Sequence, residues 1–310
     1  MAVLVTGGSG FIGSTIVDKL LKEKLDVRVY DLYEPMYHSK KEVEFTKGSL
    51  LDLDALTKAM KDVDFVYHIA AIANVNDVFK NPVLAESVNT TGTINVLEAI
   101  RKSGAKRIIY ASTEWVYSNT LKEVVDETTP PLAPTHLYTS TKLASEFYCQ
   151  NYKELYHVPY TILRYGIPYG ERARPGTVIQ IFVEKALKGE PITILGGGMQ
   201  YRQFVYVTDL AEGNVLAMKK IAENQIYNLS GKEKITIKQI AETVKDILGN
   251  VEIKYEGSRE GDFSGKEVVS EKARKDIGWE PKITFEKGLK KYIDWYKKEG
   301  REIARKQGLI

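Results

Sequence analysis

An α/β protein built on a doubly wound parallel sheet, with a smaller α/β region interleaved in its C-terminal half, is the fold this sequence predicts. Three observations carry that prediction. Apolar strand-length runs alternate with amphipathic helix-length runs from residue 2 to about residue 165, the order that buries a parallel sheet between two helical layers. A glycine-rich turn, Gly7-Gly8-Ser9-Gly10-Phe11-Ile12-Gly13, joins the first strand to the first helix. After residue 165 the texture shifts to shorter strands and helices with no clean linker, so the second part packs on the first and interleaves with it.

In chain order, Ala2-Val-Leu-Val-Thr6 reads as a short buried strand, and further strands are expected at 27–31, 43–46, 64–70, 106–111 and 159–164. Helices are expected at 11–22, 52–60, 82–102 and 138–157. Asp62-Val-Asp64 marks the start of a buried central strand, Phe65-Val-Tyr-His68. Pro82 suits a first helical turn, where its missing N–H is no loss. Pro130-Pro131-Leu-Ala-Pro134 is a loop that breaks just before the helix carrying Tyr138. Beyond 165, strands are expected at 192–195, 203–206, 226–229 and 251–255, and helices at 177–188, 208–222, 236–248 and 285–299. Gly196-Gly-Gly198 is a turn, and the charged tail 297–310 reads as a solvated helix or a frayed end.

Composition narrows the function classes. The chain has 310 residues, enough for one large domain or two small ones. Its net charge is only +3 with acids and bases interspersed, so neither nucleic acid nor a membrane surface is implied as a partner. A single cysteine, Cys149, forbids an internal disulfide framework and fits a reducing interior, so a cytoplasmic location is expected. The first residues lack the basic and small-residue features of a signal peptide, and no run approaches a membrane span of ~20 apolar residues. No metal site is expected.

The glycine turn lies between a strand and a helix, the context that a dinucleotide fingerprint requires. Glycines admit a pyrophosphate close to the backbone, and the helix N-terminus offers unpaired N–H groups. Val27-Arg28-Val29-Tyr30-Asp31 then ends in an acid eighteen residues after Gly13, the distance at which a carboxylate meets the adenosine ribose. A carboxylate there repels a 2′-phosphate, so Asp31 argues for NAD over NADP.

A second constellation carries chemistry. Tyr138-Thr-Ser-Thr-Lys142 sets a phenol and an ammonium one helical turn apart, on one face. Free tyrosine ionises near pH ~10, and a neighbouring cation favours the phenolate. Ser112-Thr113 lies upstream as a hydroxyl cluster. Paired with a cationic nicotinamide, such a tyrosine can take a proton from a sugar or alcohol hydroxyl.

Together Thr6 to Gly13, Asp31, Thr113, Tyr138 and Lys142 resemble the extended short-chain dehydrogenases. More closely, the chain resembles the NAD-dependent nucleotide-sugar epimerase/dehydratase family, and within it the UDP-glucose 4-epimerases. His68-Ile-Ala-Ala71 is similar to the family's fourth-strand signature and Asn89-Thr-Thr-Gly92-Thr93 to its helix signature. Leu163-Arg-Tyr165-Gly-Ile-Pro-Tyr169-Gly170 is similar to the strand exit beside the nicotinamide. Val178-Ile179 with Phe182 is similar to the uracil-side segment. Arg202-Gln-Phe-Val-Tyr206-Val-Thr-Asp209-Leu210 and Arg259-Glu-Gly-Asp262 are similar to the substrate-domain motifs, and Ile277-Gly278-Trp279-Glu-Pro281 closes the pattern. The resemblance implies a Rossmann-like NAD-binding domain over 1–165 and a substrate-binding region over 166–310, part of which returns to the first.

It also implies residue roles. NAD would be held by Gly7, Gly10, Phe11, Ile12, Gly13, Asp31, Leu32, Ser49, Leu50, Ile69, Ala70, Ala71, Asn89, Ser112, Tyr138, Lys142 and Tyr165. The catalytic residues would be Thr113, Tyr138 and Lys142, with Thr113 hydrogen-bonding the reacting oxygen. The nucleotide sugar would meet Thr113, Ile167, Val178, Arg202, Arg259, Asp262 and Lys266. Arg202 and Arg259 would clamp the diphosphate, since guanidinium forks suit phosphate oxygens, and Asp262 would accept from the uridine ribose. A homodimer is expected by analogy, with the helices near 82–102 and 138–157 pairing across a two-fold axis.

Chemistry within the family is decided beside Thr113. Sugar 4,6-dehydratases carry a glutamate as the C5 base two residues on, and here that position is Trp115, which cannot abstract a proton. Epimerisation at C4 is therefore the expected reaction. Other nucleotide-sugar modification, such as uronate epimerisation or a reductase or dehydratase reaction, is the alternative. Glu114 takes the first acidic position, as an acid or as a local cap. Three departures stand out: Ile167 replaces an asparagine, Ser49 replaces an aspartate, and Lys266 occupies the hexose-pocket gate, where it could pair with a uronate carboxylate.

Overall fold

The computed structural model describes residues 1–249, 251–257 and 265–306. Its elements run β1 (Ala2–Thr6), α1 (Phe11–Lys22), β2 (Asp26–Asp31), β3 (Glu44–Lys47), α2 (Leu53–Ala59), β4 (Phe65–His68), α3 (Val75–Lys80), α4 (Pro82–Glu86), α5 (Gly92–Ser103), β5 (Arg107–Thr113), β6 (Val124–Val125), α6 (Leu137–Tyr156) and β7 (Tyr160–Tyr165). They continue with β8 (Ile167–Tyr169), α7 (Val178–Leu187), β9 (Ile192–Leu195), β10 (Tyr201–Tyr206), α8 (Val207–Leu216), β11 (Gln225–Leu229), β12 (Lys234–Thr236), α9 (Ile237–Leu248), β13 (Ile253–Glu256), β14 (Glu267–Val268), α10 (Glu271–Ile277), α11 (Phe285–Trp295) and α12 (Arg301–Lys306).

Seven strands form one sheet in the order β11-β7-β5-β4-β1-β2-β3, every neighbouring pair parallel. The central strands are apolar on both faces because helices cover both. Val3, Val5 and Val29 face a core with Ile16, Val17 and Leu20 of α1 and Leu210 and Ala211 of α8. Leu4, Val66 and Ile108 face the other, with Leu56 of α2, Val96 and Leu97 of α5 and Cys149 of α6. The chain leaves β1 toward β2 and β3 and later resumes at β4 on β1's other side. That reversal opens a crevice at the C-terminal ends of β1 and β4, where ligands bind in such sheets.

A second core gathers Tyr169, Phe182, Ile192, Phe204, Ile240, Leu289 and Tyr292 from β8, α7, β9, β10, α9 and α11. It surrounds a small sheet, β12-β10-β8, and the pair β13-β9. The two bodies are interleaved: β10 leads directly into α8, which packs on α1, and β11 joins the edge of the main sheet.

Several details depart from the sequence expectation. The expected strand 64–70 ends at His68, because the backbone N–H groups of Ile69 and Ala70 turn back to Thr6 O. The expected helix 82–102 is interrupted by one π turn over Ser87–Thr91. The expected helix 208–222 stops at Leu216. The expected helix 285–299 gives way to a π turn over Tyr296–Gly300, and within the tail α12 continues to Lys306. Unanticipated β8 carries Pro168 and lies at a sheet edge, where a missing N–H is tolerated.

Candidate active site

The glycine turn is shaped by contact between elements. Gly7 has φ +73°, and a Cβ there would stand 2.7 Å from Ala70 N at the end of β4. A Cβ on Gly13 would stand 2.1 Å from Gly7 O, so α1 approaches the turn closely enough to admit only glycine. At the N-cap of α1, Gly10 has an extended backbone and supplies no side-chain acceptor to the first turn of Phe11 and Ile12. Asp31 ends β2 with Oδ2 accepting from Ser9 N at 3.1 Å and Oδ1 from Tyr33 N at 3.1 Å. Each carboxylate oxygen keeps a second lone pair for a ribose hydroxyl. Leu32 beside it is 52% exposed. These residues fit an NAD pyrophosphate and adenosine ribose.

The remaining walls hold one another. Ser49 Oγ accepts from Leu51 N at 3.2 Å, and Leu50 O accepts from Asn95 at 2.9 Å. Ile69, Ala70 and Ala71 follow β4 and are half-buried. Asn89 lies on the π turn and is spent on neighbours: Oδ1 accepts from Ile72 N at 2.8 Å, and Nδ2 donates to Ile72 O and Thr141 Oγ1, both at 3.0 Å. It therefore ties the loop after β4 to the residue preceding Lys142.

β5 and α6 carry the expected catalytic trio. Thr113 ends β5, paired in register with Tyr165 of β7, and its Oγ1 accepts from Trp115 N at 3.2 Å. Tyr165 donates to Asn214 Oδ1 at 2.6 Å. Lys142 is 4% exposed and donates Nζ–H to Ala111 O at 2.8 Å, with the ammonium 4.9 Å from the Tyr110 ring centre. Burial brings its pKa down to about 8, opposed by the thiol of Cys149 and the carboxylate of Glu146. Burial likewise pushes the Tyr138 phenol up to about 12, and the cation that opposes this is Arg174. Arg174 stands in the loop after β8, and no sequence spacing pointed to it.

Ser112 is buried at 3% exposure. Its hydroxyl donates to Glu146 Oε1 at 2.5 Å, and Glu146 forms a fully buried fork with Arg164 at 3.0 and 2.7 Å. That pair ties α6 to β5 and β7.

A cleft of about 320 Å³ opens between the two bodies, lined by Trp115, Ile167, Val178, Arg202, Phe204 and Tyr292 among others. Three expected substrate residues, Ile167, Val178 and Arg202, thus share one wall system. A smaller cleft continues past Trp115, Ile167 and Arg202 to Glu114 and Lys266. Arg202 donates to Tyr201 O at 2.7 Å, and Lys266 pairs with Glu123 at 3.3 Å. Glu114 accepts from Ser230 Oγ at 2.8 Å, and burial pushes its carboxyl up to about 8 against Ser230 and Arg202. Arg259 and Asp262 lie outside the described residues. Trp115 and Tyr292 line the cleft without having been named as substrate contacts. Trp115 entered the sequence reading only as a missing base, and Tyr292 comes from α11, distant in the chain.

The model of the NAD dependent epimerase/dehydratase family matches residues 3–230. A Methanocaldococcus jannaschii protein named "Putative UDP-glucose 4-epimerase" is 37% identical over 309 residues, covering 96% of this chain and 99% of that protein. The crystal structure of Thermotoga maritima UDP-glucose 4-epimerase with UDP-glucose is similar at TM-score 0.88 and 32% identity, covering 96% of this chain and 99% of that one. Thermus thermophilus UDP-glucose 4-epimerase complexed with NAD is similar at TM-score 0.86 and 34% identity, covering 96% and 100%.

Proposed function

Because the chain belongs to the NAD dependent epimerase/dehydratase family, with NAD as its cofactor, we propose that it epimerises C4 of a UDP-linked hexose, interconverting UDP-glucose and UDP-galactose through a transient 4-keto sugar. The observation that carries the choice of epimerisation is Trp115. An indole lines the cleft at the position where dehydration would need a second carboxylate base.

Each side chain has a task under this reading. Tyr138 takes the proton of the C4 hydroxyl, and Thr113 Oγ1 hydrogen-bonds the same oxygen. Arg174 favours the phenolate that burial opposes, and Lys142, charged below pH ~8, would hold the nicotinamide ribose. NAD, when bound, supplies the hydride exchange at C4; the glycine turn and Asp31 would hold it. The keto sugar must then present its other face, so the nucleotide has to be gripped while the hexose turns. Arg202 at the diphosphate and the apolar wall of Ile167, Val178 and Phe204 suit that division.

The test is a product assay on the purified protein. UDP-galactose should convert to UDP-glucose without accumulation of reduced cofactor, and Tyr138→Phe should lower kcat by about 10²–10⁴-fold. Loss of water from the sugar, or one reduced cofactor per turnover, would sink the reading.

A second substrate reading rests on Lys266. Its side chain is 14% exposed, lines the smaller cleft with Arg202, and is paired only at 3.3 Å with the exposed Glu123 among the bonds described. A uronate carboxylate could take that ammonium. UDP-glucose, UDP-N-acetylglucosamine and UDP-glucuronate assayed side by side decide it: turnover of the neutral sugars alone excludes the pairing. A homodimer is proposed as well, supported by the exposed apolar side chains of Phe79, Val83, Leu84, Leu137 and Phe147 on α3, α4 and α6.

A further inference from the structure

We propose that the Glu114 carboxyl is a substrate-binding group, its O–H donating a hydrogen bond to the diphosphate held at Arg202. The inference rests on the nucleotide-sugar reading above and deepens it.

Glu114 begins the short turn after β5, one residue beyond Thr113. Its carboxyl is not a local cap, because Thr113 Oγ1 performs that role for Trp115 N. Instead Oε2 accepts from Ser230, a residue 116 positions away at the end of β11. Gly166 lies beside the same carboxyl: a Cβ there would stand 3.3 Å from Oε2 and 2.9 Å from Ser230 Cα. The side chain is therefore fixed at the wall of the smaller cleft, with Trp115, Ile167, Arg202 and Lys266.

That cleft suits an anion. Arg202 from β10 and Lys266 from the segment before β14 are the charged groups that share it with Glu114 among the described residues. Gln203, which also lines it, is spent: its amide donates to Gly231 O and Val268 O and accepts from Val268 N. Ile167 offers no polar atom. An ionised carboxylate beside Arg202 would cancel part of the attraction for a phosphate. Burial prevents this, keeping the acid neutral up to about pH 8 against both Ser230 and Arg202. A neutral acid has one proton to donate, and a phosphate oxygen accepts it; an ionised one repels the phosphate.

Equilibrium binding of UDP and UMP to wild type, Glu114→Ala and Glu114→Gln tests this without requiring turnover. At pH 7 the alanine variant should bind UDP about 10-fold more weakly, with UMP changed by less than about 2-fold. The glutamine variant keeps a neutral donor and should stay within about 3-fold of wild type. Wild-type affinity for UDP should fall about 10-fold between pH 7 and 9, whereas that of the glutamine variant should not. Should the alanine variant fail to fold, the pH comparison of wild type with Glu114→Gln decides alone. UDP affinity unchanged in the alanine variant, or a wild-type affinity that tracks the glutamine variant across pH, overturns the proposal. A wild type that binds no UDP overturns the nucleotide-sugar reading along with it.

Discussion

Burial sets the proton chemistry of single residues here more than sequence neighbours do. Lys142 lies one turn from Tyr138, yet its ammonium is bonded to Ala111 O, and the shift of the phenol is opposed by Arg174 instead. Holding a lysine cation in that setting costs roughly 3 kcal/mol for a pKa brought from 10.5 to about 8. Lys142→Met is therefore expected to raise the midpoint of thermal unfolding at pH 7 while lowering kcat at least about 100-fold. An unchanged kcat would refute the role of the ammonium. His68 shows the converse. Thr93 donates to Asn89 O, so His68 Nε2 donates to Thr93 Oγ1 and Nδ1 accepts from Thr6. Both partners suit the neutral ring, and burial drops its pKa to about 3. A base with a depressed folded pKa contributes full stability above 6.5 and loses it as pH falls toward 3. Urea unfolding between pH 6 and 4 should lose up to about 1.4 kcal/mol per pH unit through this group. The slope should be shallower in His68→Gln by that amount.

At the scale of elements, α6 is the decisive piece. It carries Tyr138 and Lys142 and is fastened to the sheet by the buried Glu146–Arg164 fork. Glu146→Leu leaves Arg164 buried and unpaired, a change expected to cost about 3–5 kcal/mol in chemical denaturation. Replacing both charges with apolar residues of similar volume should recover most of that loss; equal losses in the single and double variants would show the fork is not the fastening. The existence of α6 was legible from its periodicity and from Pro134 before it. The π turn at Ser87–Thr91 was not, because Ser-Val-Asn-Thr-Thr carries no residue signal that distinguishes one widened turn from a continuous helix. Yet that turn carries Asn89, which joins the loop after β4 to α6. The edge strands β6, β8 and β14 were equally hidden, being two or three residues long and defined by distant partners.

Taken whole, the molecule leaves apolar side chains uncovered on one set of helices. Ala85 of α4 and Cys149 of α6 are buried, while Val83 is 76% exposed on α4 and Phe147 is 52% exposed on α6. A second copy of the chain would cover them. Sedimentation velocity at micromolar concentration should report a dimer, and Val83→Asp with Phe147→Asp should report a monomer of unchanged helical content. A wild type that sediments as a monomer at every concentration would remove the dimer from consideration.

Periodicity, the glycine turn and the terminal acid of β2 were enough to read the parallel sheet and NAD as the cofactor. These features are local, set by spacing along a few turns or one strand, and short-range sterics suffice to define them. Only the tertiary structure decided which distant groups meet: Arg174 acting on the charge of Tyr138, Ser230 bonded to Glu114, Tyr292 lining the same cleft as Arg202. Those partners come from elements far apart in the chain. Their effects depend on burial and through-space charge, which no residue pattern encodes until the two bodies have packed.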